Sequence, residues 1–330
     1  MSRAATVRDI AREAGVSTAT VSRALNGDPR VHGTTASAVR AAADRLGYSV
    51  NRAARSLKTR STRMVGVIAP DLATDFFMIL ADRLERELAA EGYDMLIASS
   101  RESAAEEERL LGLFPEHLVD GIVAIPATGE SDHFRRAIAR GTPLVLTDRA
   151  PGNPGADAVL VDNEGGAREA VRALAGLGYR RIGFVGGDLR LTTARERFEG
   201  YRTALAGLGI PPEPEFERFG PMHIDAGYGM MDELLALPNA PEAWFVVNAD
   251  THVGATNRLY KEPPERRERA ALAAFDEMPW SPLLRFCRFA VEQPVGEMGR
   301  TAAGFILDRI EGRVGGRPRT ARLPTRLIPH

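Results

Sequence analysis

The chain has 330 residues, a formal net charge of −1, 44% hydrophobic residues and one cysteine. That length exceeds one ordinary domain and suits a small head with a two-lobed body, while the single Cys287 excludes an internal disulfide and a cysteine metal cluster and leaves core filling as its role. No apolar run is long enough to span a membrane and no charged-then-apolar leader opens the sequence, so the expected location is cytoplasmic, with no membrane partner.

Thr6 to Asn26, TVRDIAREAGVSTATVSRALN, predicts two short helices broken at Gly15. Thr6 and Asp9 form a capping-box pattern, and Ser17 caps the second helix. Val7, Ile10, Ala11, Ala14, Val16, Val21 and Leu25 fall at helical spacing on the inner faces. Thr18, Ala19, Ser22 and Arg23 remain outside the second helix, a polar face of a size that enters a DNA major groove. A helical hairpin with a glycine turn is also a common structural unit. Two further features favour DNA. Residues 34 to 47 form a third helix with Val39, Ala42, Ala43 and Leu46 on one face, enough to close a three-helix head. Residues 1 to 63 carry twelve Arg or Lys against four Asp or Glu, so a head near +8 stands on a body near −9, the asymmetry that phosphate contacts require. In this helix-turn-helix Arg23 fits a bidentate contact to guanine, and Thr18 and Ala19 fit base edges or a thymine methyl. Ser22 and Asn26 fit phosphate contacts, and Thr6, Ser17 and Thr20 complete the DNA-binding set. Next comes Tyr48 to Arg60, YSVNRAARSLKTR, where Asn51 can cap a helix with Ala53, Ala54 and Leu57 on one side and Arg52, Arg55 and Lys58 around the other. Alone, such a helix is too short to be stable.

The head, this linker and the following MVGVIAPDLATDFF together resemble the lactose-repressor (LacI/GalR) family of bacterial transcription regulators, over essentially the whole chain. The resemblance implies a hinge helix that folds on DNA, pairs with its twin in the minor groove and wedges a leucine, matched by Leu57, between the central base pairs. Asn51, Ala54, Arg55 and Lys58 join Leu57 in the expected DNA contacts. Val50 stands where the family usually has proline, which loosens the entry to the hinge. His32 stands where a serine normally caps the third helix, and Thr34 is the candidate replacement.

From Met64 the pattern changes to short apolar runs alternating with amphipathic helices. The runs are 64–69, 94–99, 121–125, 143–147, 158–161, 181–186, 243–248, 271–275 and 288–291, with helical stretches at Phe77 to Ala90, Ala104 to Phe114, Gly165 to Ala175, Thr193 to Leu208 and Asp250 to Tyr260. Fully apolar strands between helices indicate α/β structure with parallel sheets covered on both faces. There are too many for one comfortable sheet, so two doubly wound lobes are expected, meeting near Val161 to Asn163. A periplasmic-binding-protein-like body with further crossings near 290 and 320 is what the resemblance implies. The expected domains are a helix-turn-helix head at 1–50, a hinge helix and linker at 51–62, and an effector-binding and dimerisation domain at 63–330. Its first lobe would span about 63–161 and 291–320, its second about 162–290 and 321–330. Gly152 to Asp157, Pro211 to Glu215 and KEPPERRERA at 261–270 read as surface loops.

Ligands of parallel α/β sheets bind outside the carboxyl ends of the strands. Asp71, Ser99, Ser100, Asp148, Arg149, Gly186, Gly187, Asn248, Asp250 and Asp276 stand there. The resemblance implies that Asp148, Asn248, Asp276 and Arg197, in the helix ARERFEGYRTAL, hold a small effector, often through sugar hydroxyls. An arginine beside carboxylates and an amide suits a polyol or an acidic sugar. Ser100 joins this set from its strand end, and Phe76, Phe77 and Trp280 can stack on a ring. Structural roles compete with each: an Asp after a strand often caps the next helix, Arg197 can form a salt bridge, and aromatics fill cores. Ala249 and the pair Thr74-Asp75 depart from the family's aspartate and Asn-Pro, which leaves the particular effector open.

Neither GxSxG, HExxH, a P-loop nor a complete GxGxxG after a strand is present, and the six histidines are scattered. The chain is expected to be no enzyme and to use no cofactor or metal. The sequence therefore describes a DNA-binding regulator, a repressor that holds a pseudo-palindromic operator as a homodimer under the control of a sugar-like effector. One alternative is a regulator whose body serves only dimerisation or a protein partner. A Rossmann-type enzyme is a remote one.

Overall fold

The computed structural model describes residues 5–25, 28–48, 61–117, 119–152 and 154–330. The chain divides into two compact units, Met1–Thr62 and Arg63–His330.

In the first unit, helices α1 (Val7–Glu13), α2 (Thr18–Leu25) and α3 (Gly33–Arg45) enclose Ile10, Val21, Val39 and Ala42. The backbone N–H and hydroxyl of Thr6 both donate to the Asp9 carboxylate, at 2.9 and 2.6 Å. Ser17 Oγ accepts from the Thr20 backbone N–H at 3.1 Å, which satisfies an amide that the start of α2 leaves without a helical partner. Gly15, at φ +66°, makes the turn between them. At α3 the N-cap is His32, whose side chain makes no capping bond. Thr34 does not replace it; its hydroxyl lies 3.0 Å from His32 Nδ1.

The second unit is doubly wound twice. Its first lobe runs β1 (Met64–Ala69), α4 (Asp75–Ala90), β2 (Asp94–Ser99), α5 (Ala104–His117), β3 (Gly121–Ala124), α6 (Asp132–Ala139), β4 (Leu144–Thr147) and β5 (Asp157–Val161). Its second runs α7 (Asn163–Gly176), β6 (Ile182–Gly186), α8 (Thr192–Gly207), β7 (Glu217–Phe219), α9 (Ile224–Leu235), β8 (Ala243–Val246), α10 (Ala249–Leu259), α11 (Pro264–Arg269), β9 (Ala271–Phe275) and β10 (Cys287–Glu292). The chain then returns as α12 (Val295–Ile310) and β11 (Thr320–Leu323) to the first lobe and as β12 (Arg326–Pro329) to the second. The sheet orders are β11-β5-β4-β3-β1-β2 and β12-β10-β9-β8-β6-β7. All pairings are parallel except that of β10 with β12. The strands β1, β3, β6, β8 and β9 are apolar throughout because helices cover both faces: α4 and α12 against α5 and α6 in one lobe, α7 and α8 against α9 and α10 in the other. The helices α9 and α10 approach closely at Gly227 and Gly254, where a Cβ would overlap the Thr251 and Ile224 carbonyls.

Three crossings join the lobes, at 161–163, 293–294 and 324–325. The second falls beyond 290 because β10 continues to Glu292, and 320–323 pair with β5. Two expected loops are partly regular. KEPPERRERA contains α11, with Pro263 and Pro264 at its start, where their missing N–H groups cost nothing. Pro214–Phe216 is a 3-10 turn. Cys287 is buried, which pushes its thiol up to about 12. Among the described residues no helix is long and apolar enough to cross a membrane.

Asp157, expected at a loop end, is the first residue of β5 and is buried. Arg309 of α12 donates to it at 3.1 and 2.6 Å, and Arg319 does so from its backbone at 2.8 Å and its side chain at 3.0 and 2.6 Å. Burial raises its carboxyl pKa, but these bonds outweigh burial and hold it below the usual range. A depressed pKa contributes stability that is complete above the unfolded value, about 3.9, and is lost as pH falls through the folded one. Asp157→Asn should therefore cost about 3 kcal/mol at neutral pH, and its urea midpoint should fall less than that of the wild type on acidification. Parallel acid profiles would contradict this assignment.

Candidate functional site

Arg197 of α8 is 3% exposed and lies at the carboxyl ends of the second sheet. Its Nε donates to Asn163 Oδ1 at 2.9 Å and its Nη1 to the Val247 carbonyl at 2.7 Å. Its guanidinium carbon sits 3.6 Å from the Phe275 ring centroid, a stacked cation–π arrangement. Burial lowers its pKa, and the charges of Asp276 and Asp148 oppose that shift.

These two carboxylates come from different lobes. Asp148 follows β4 and Asp276 follows β9, and both adopt left-handed backbone, at φ +64° and +72°, a conformation that Asp tolerates better than most residues. Asp276 accepts from the Ala249 backbone N–H at 3.3 Å and from Gln293 Nε2 at 2.5 Å. Asp148 lies 3.5 Å from Arg149 Nε. Burial pushes the Asp148 carboxyl up, Arg149 and Arg197 pull it down, and Asp276 pushes it up further. Arg149 also donates to the Pro126 carbonyl at 3.1 Å and stands 5.6 Å from the Phe77 ring.

Asn248 caps α10. Its Oδ1 accepts from the Thr251 backbone N–H at 3.1 Å and from the Thr251 hydroxyl at 2.6 Å, and its Nδ2 donates to the Met222 carbonyl at 3.2 Å. Across the lobes, the Thr74 hydroxyl donates to Asp250 Oδ2 at 3.2 Å. Asn163 Nδ2 donates to Glu196 at 2.9 Å, and Glu196 in turn accepts from Arg322 at 3.1 Å. Arg197 is thereby linked to the first crossing and to β11, just before the third.

Of the sequence-derived effector residues, the structure gathers Asp148, Arg197 and Asp276, with Asn248 adjoining through Val247 and Phe77 through Arg149. Phe76 stands edge-to-face with Phe77, ring centroids 5.6 Å apart, whereas Ser100 and Trp280 make their contacts elsewhere. Phe76 lies in the first lobe's core, and the Ser100 hydroxyl faces the Ala69 carbonyl at 3.4 Å. Trp280 borders a separate recess of about 400 Å³ with Asp75 and Met78. Asn163 and Gln293 were missed, although both stand just after strands; the strand-end rule, applied to β5 and β10, points to them.

On the head, Thr18, Ala19 and Arg23 are exposed on α2, while Ser22 and Thr20 are half-buried. The Thr20 hydroxyl lies 2.9 Å from that of Ser17, within the helix cap. Asn26, Asn51, Ala54, Arg55, Leu57 and Lys58 lie outside the described residues.

Residues 6–51 match the model for bacterial regulatory proteins of the lacI family, and residues 62–328 match that for periplasmic binding proteins and the sugar binding domain of the LacI family. The ribose operon repressor of Escherichia coli (strain K12) is 30% identical over 310 residues, 93% of each chain. A solved complex of the transcriptional regulator CelR with cellobiose is 29% identical, covers 98% of each chain and has a TM-score of 0.73. The lac repressor dimer bound to operator and the anti-inducer ONPF has a TM-score of 0.86 over 99% of this chain and 98% of that one, and at 22% identity it speaks for the fold alone.

Arg197→Met keeps most of the side-chain volume but removes the donors to Asn163 and Val247 and the counter-charge of Asp148 and Asp276. A cost of about 3–5 kcal/mol is expected in chemical denaturation. A loss below about 1 kcal/mol, the range of exposed ion pairs, would show that the guanidinium is not held as described.

Proposed function

The chain belongs to the LacI family of bacterial regulatory proteins, and from that premise we propose that it is a sequence-specific DNA-binding repressor. It holds a pseudo-palindromic operator as a homodimer in the cytoplasm and responds to a small sugar-like effector between the lobes. One observation carries this: a helix-turn-helix with an exposed polar face shares a chain with a body whose buried charges converge on Arg197 from both lobes. No catalytic role is assigned to any residue. The relatives with ribose and cellobiose in their names support a sugar-like effector.

Two heads of a symmetric dimer enter successive major grooves. Arg23 forks onto a guanine, Thr18 and Ala19 meet base edges, and Ser22 and Asn26 hold phosphates. The hydrogen-bonded turns at Thr6, and at Ser17 with Thr20, aim the first turns of their helices at the DNA. In the linker, Asn51, Ala54, Arg55 and Lys58 follow the minor groove and Leu57 wedges the central step. An effector bridging Asp148 of one lobe to Arg197 and Asp276 of the other favours one lobe arrangement. The Asn163–Glu196–Arg322 chain carries that preference to the crossings, with Asn248 bracing the wall behind. Coupling between effector and operator is reciprocal.

The test is selection of a preferred site from random DNA, followed by affinity measurements with Arg23→Ala. The variant should lose about 1–3 kcal/mol at one symmetric base pair and accept other bases there. Equal loss on every sequence would reduce Arg23 to a phosphate contact.

A further inference from the structure

Resting on the effector cleft just described, we propose that the cleft selects an uncharged, hydroxyl-rich ligand over phosphorylated or carboxylated ones, and that Asp250 sets this preference. The cleft wall holds two arginines, and protein groups already occupy part of each. Arg197 spends Nε and Nη1 on Asn163 and Val247, and Arg149 donates to Pro126 and lies beside Asp148. Their two charges are matched by Asp148 and Asp276. Asp250 then adds a third carboxylate to the junction, tied to Thr74 of the opposite lobe.

The neighbours that act on Asp250 have its own sign. Burial raises its carboxyl pKa, the Thr74 bond lowers it, and Asp276, Asp75 and Asp71 raise it again. The start of α10 offers an anion little, although helix N-termini often bind phosphate. Its amides at Ala249 and Thr251 are taken by Asp276 and Asn248. Among the described residues, two buried atoms here remain without a hydrogen-bond partner, Arg149 Nε and Gln293 Oε1. Gln293 is 5% exposed, spends Nε2 on Asp276, and leaves Oε1 buried without a hydrogen-bond partner. A hydroxyl can both donate to Oε1 or a carboxylate and accept from Arg149 Nε, whereas an ionised phosphate or carboxylate brings acceptors and a charge that the three carboxylates repel.

The experiment is calorimetric titration of the full chain with sugars and polyols, each paired with its phosphate ester, its sugar acid and its amino analogue. Wild type, Asp250→Asn, Asp250→Ser and Arg197→Lys are compared, with near-ultraviolet dichroism checking that each is folded. A neutral member should bind, its anionic counterparts should bind at least about tenfold more weakly, and its amino analogue should bind no worse. Both Asp250 variants should narrow the anionic gap several-fold, and Arg197→Lys should weaken the neutral ligand. An anionic member that binds as tightly as its neutral parent, or a gap unchanged in both Asp250 variants, overturns the inference and leaves the effector cleft standing. Failure of the whole panel to bind folded wild type overturns the cleft itself, and the inference with it.

Discussion

Burying a guanidinium removes it from water at a cost that only well-placed acceptors offset, and the acceptors around Arg197 come from widely separated parts of the body. Asn163 belongs to the first crossing, Val247 to the end of β8, and the flanking charges to strand ends of both lobes. The Phe275 ring closes the remaining side. A charge held in this way makes the junction between lobes specific rather than merely sticky. Any shift of one lobe against the other alters the environment of a group that cannot afford to lose its partners. A ligand that substitutes for some of those partners therefore has a direct hold on the lobe arrangement.

The same requirement explains why polar side chains stand where the sequence otherwise demands apolar strands. Asp148 and Asp276 accept left-handed backbone immediately after β4 and β9, and Gln293 marks the second crossing while braced against Asp276. A different ion cluster secures the return of the chain, where Arg309 and Arg319 converge on Asp157 and fix α12 and β11 onto the first sheet. The two clusters serve different ends. The Asp157 group is saturated by its own arginines, whereas the Arg197 group retains two unpaired buried atoms, Gln293 Oε1 and Arg149 Nε.

Much of this was legible in the sequence because apolar runs flanked by helices leave few architectures open. The run MVGVIA appears as β1 and ALAAF as β9, each with its expected limits. Thr6 and Ser17 cap helices as their spacing implied. Elements with weak patterning were harder to read. The three-residue β7 is too short to show a period, and α11 is a run of charges after its proline and so carries no amphipathic signal. Residue positions at the site were legible where a strand end announced them, as at Asp148 and Asp276. Contacts were illegible where long-range geometry decides, since only the fold shows that Arg197 stacks on Phe275 while Phe76 turns into the core.

The central claim is that occupation of the Arg197 cleft changes the grip on DNA. The most direct measurement is fluorescence anisotropy of a selected operator duplex titrated with the full chain, at zero and at saturating concentration of a ligand shown to bind. The operator dissociation constant should change by about 5- to 150-fold, the usual range of allosteric coupling, and bound operator should change the ligand's affinity by the same factor. A dissociation constant unmoved by saturating ligand would contradict the account and leave the body as a dimerisation module that binds its ligand without transmitting it.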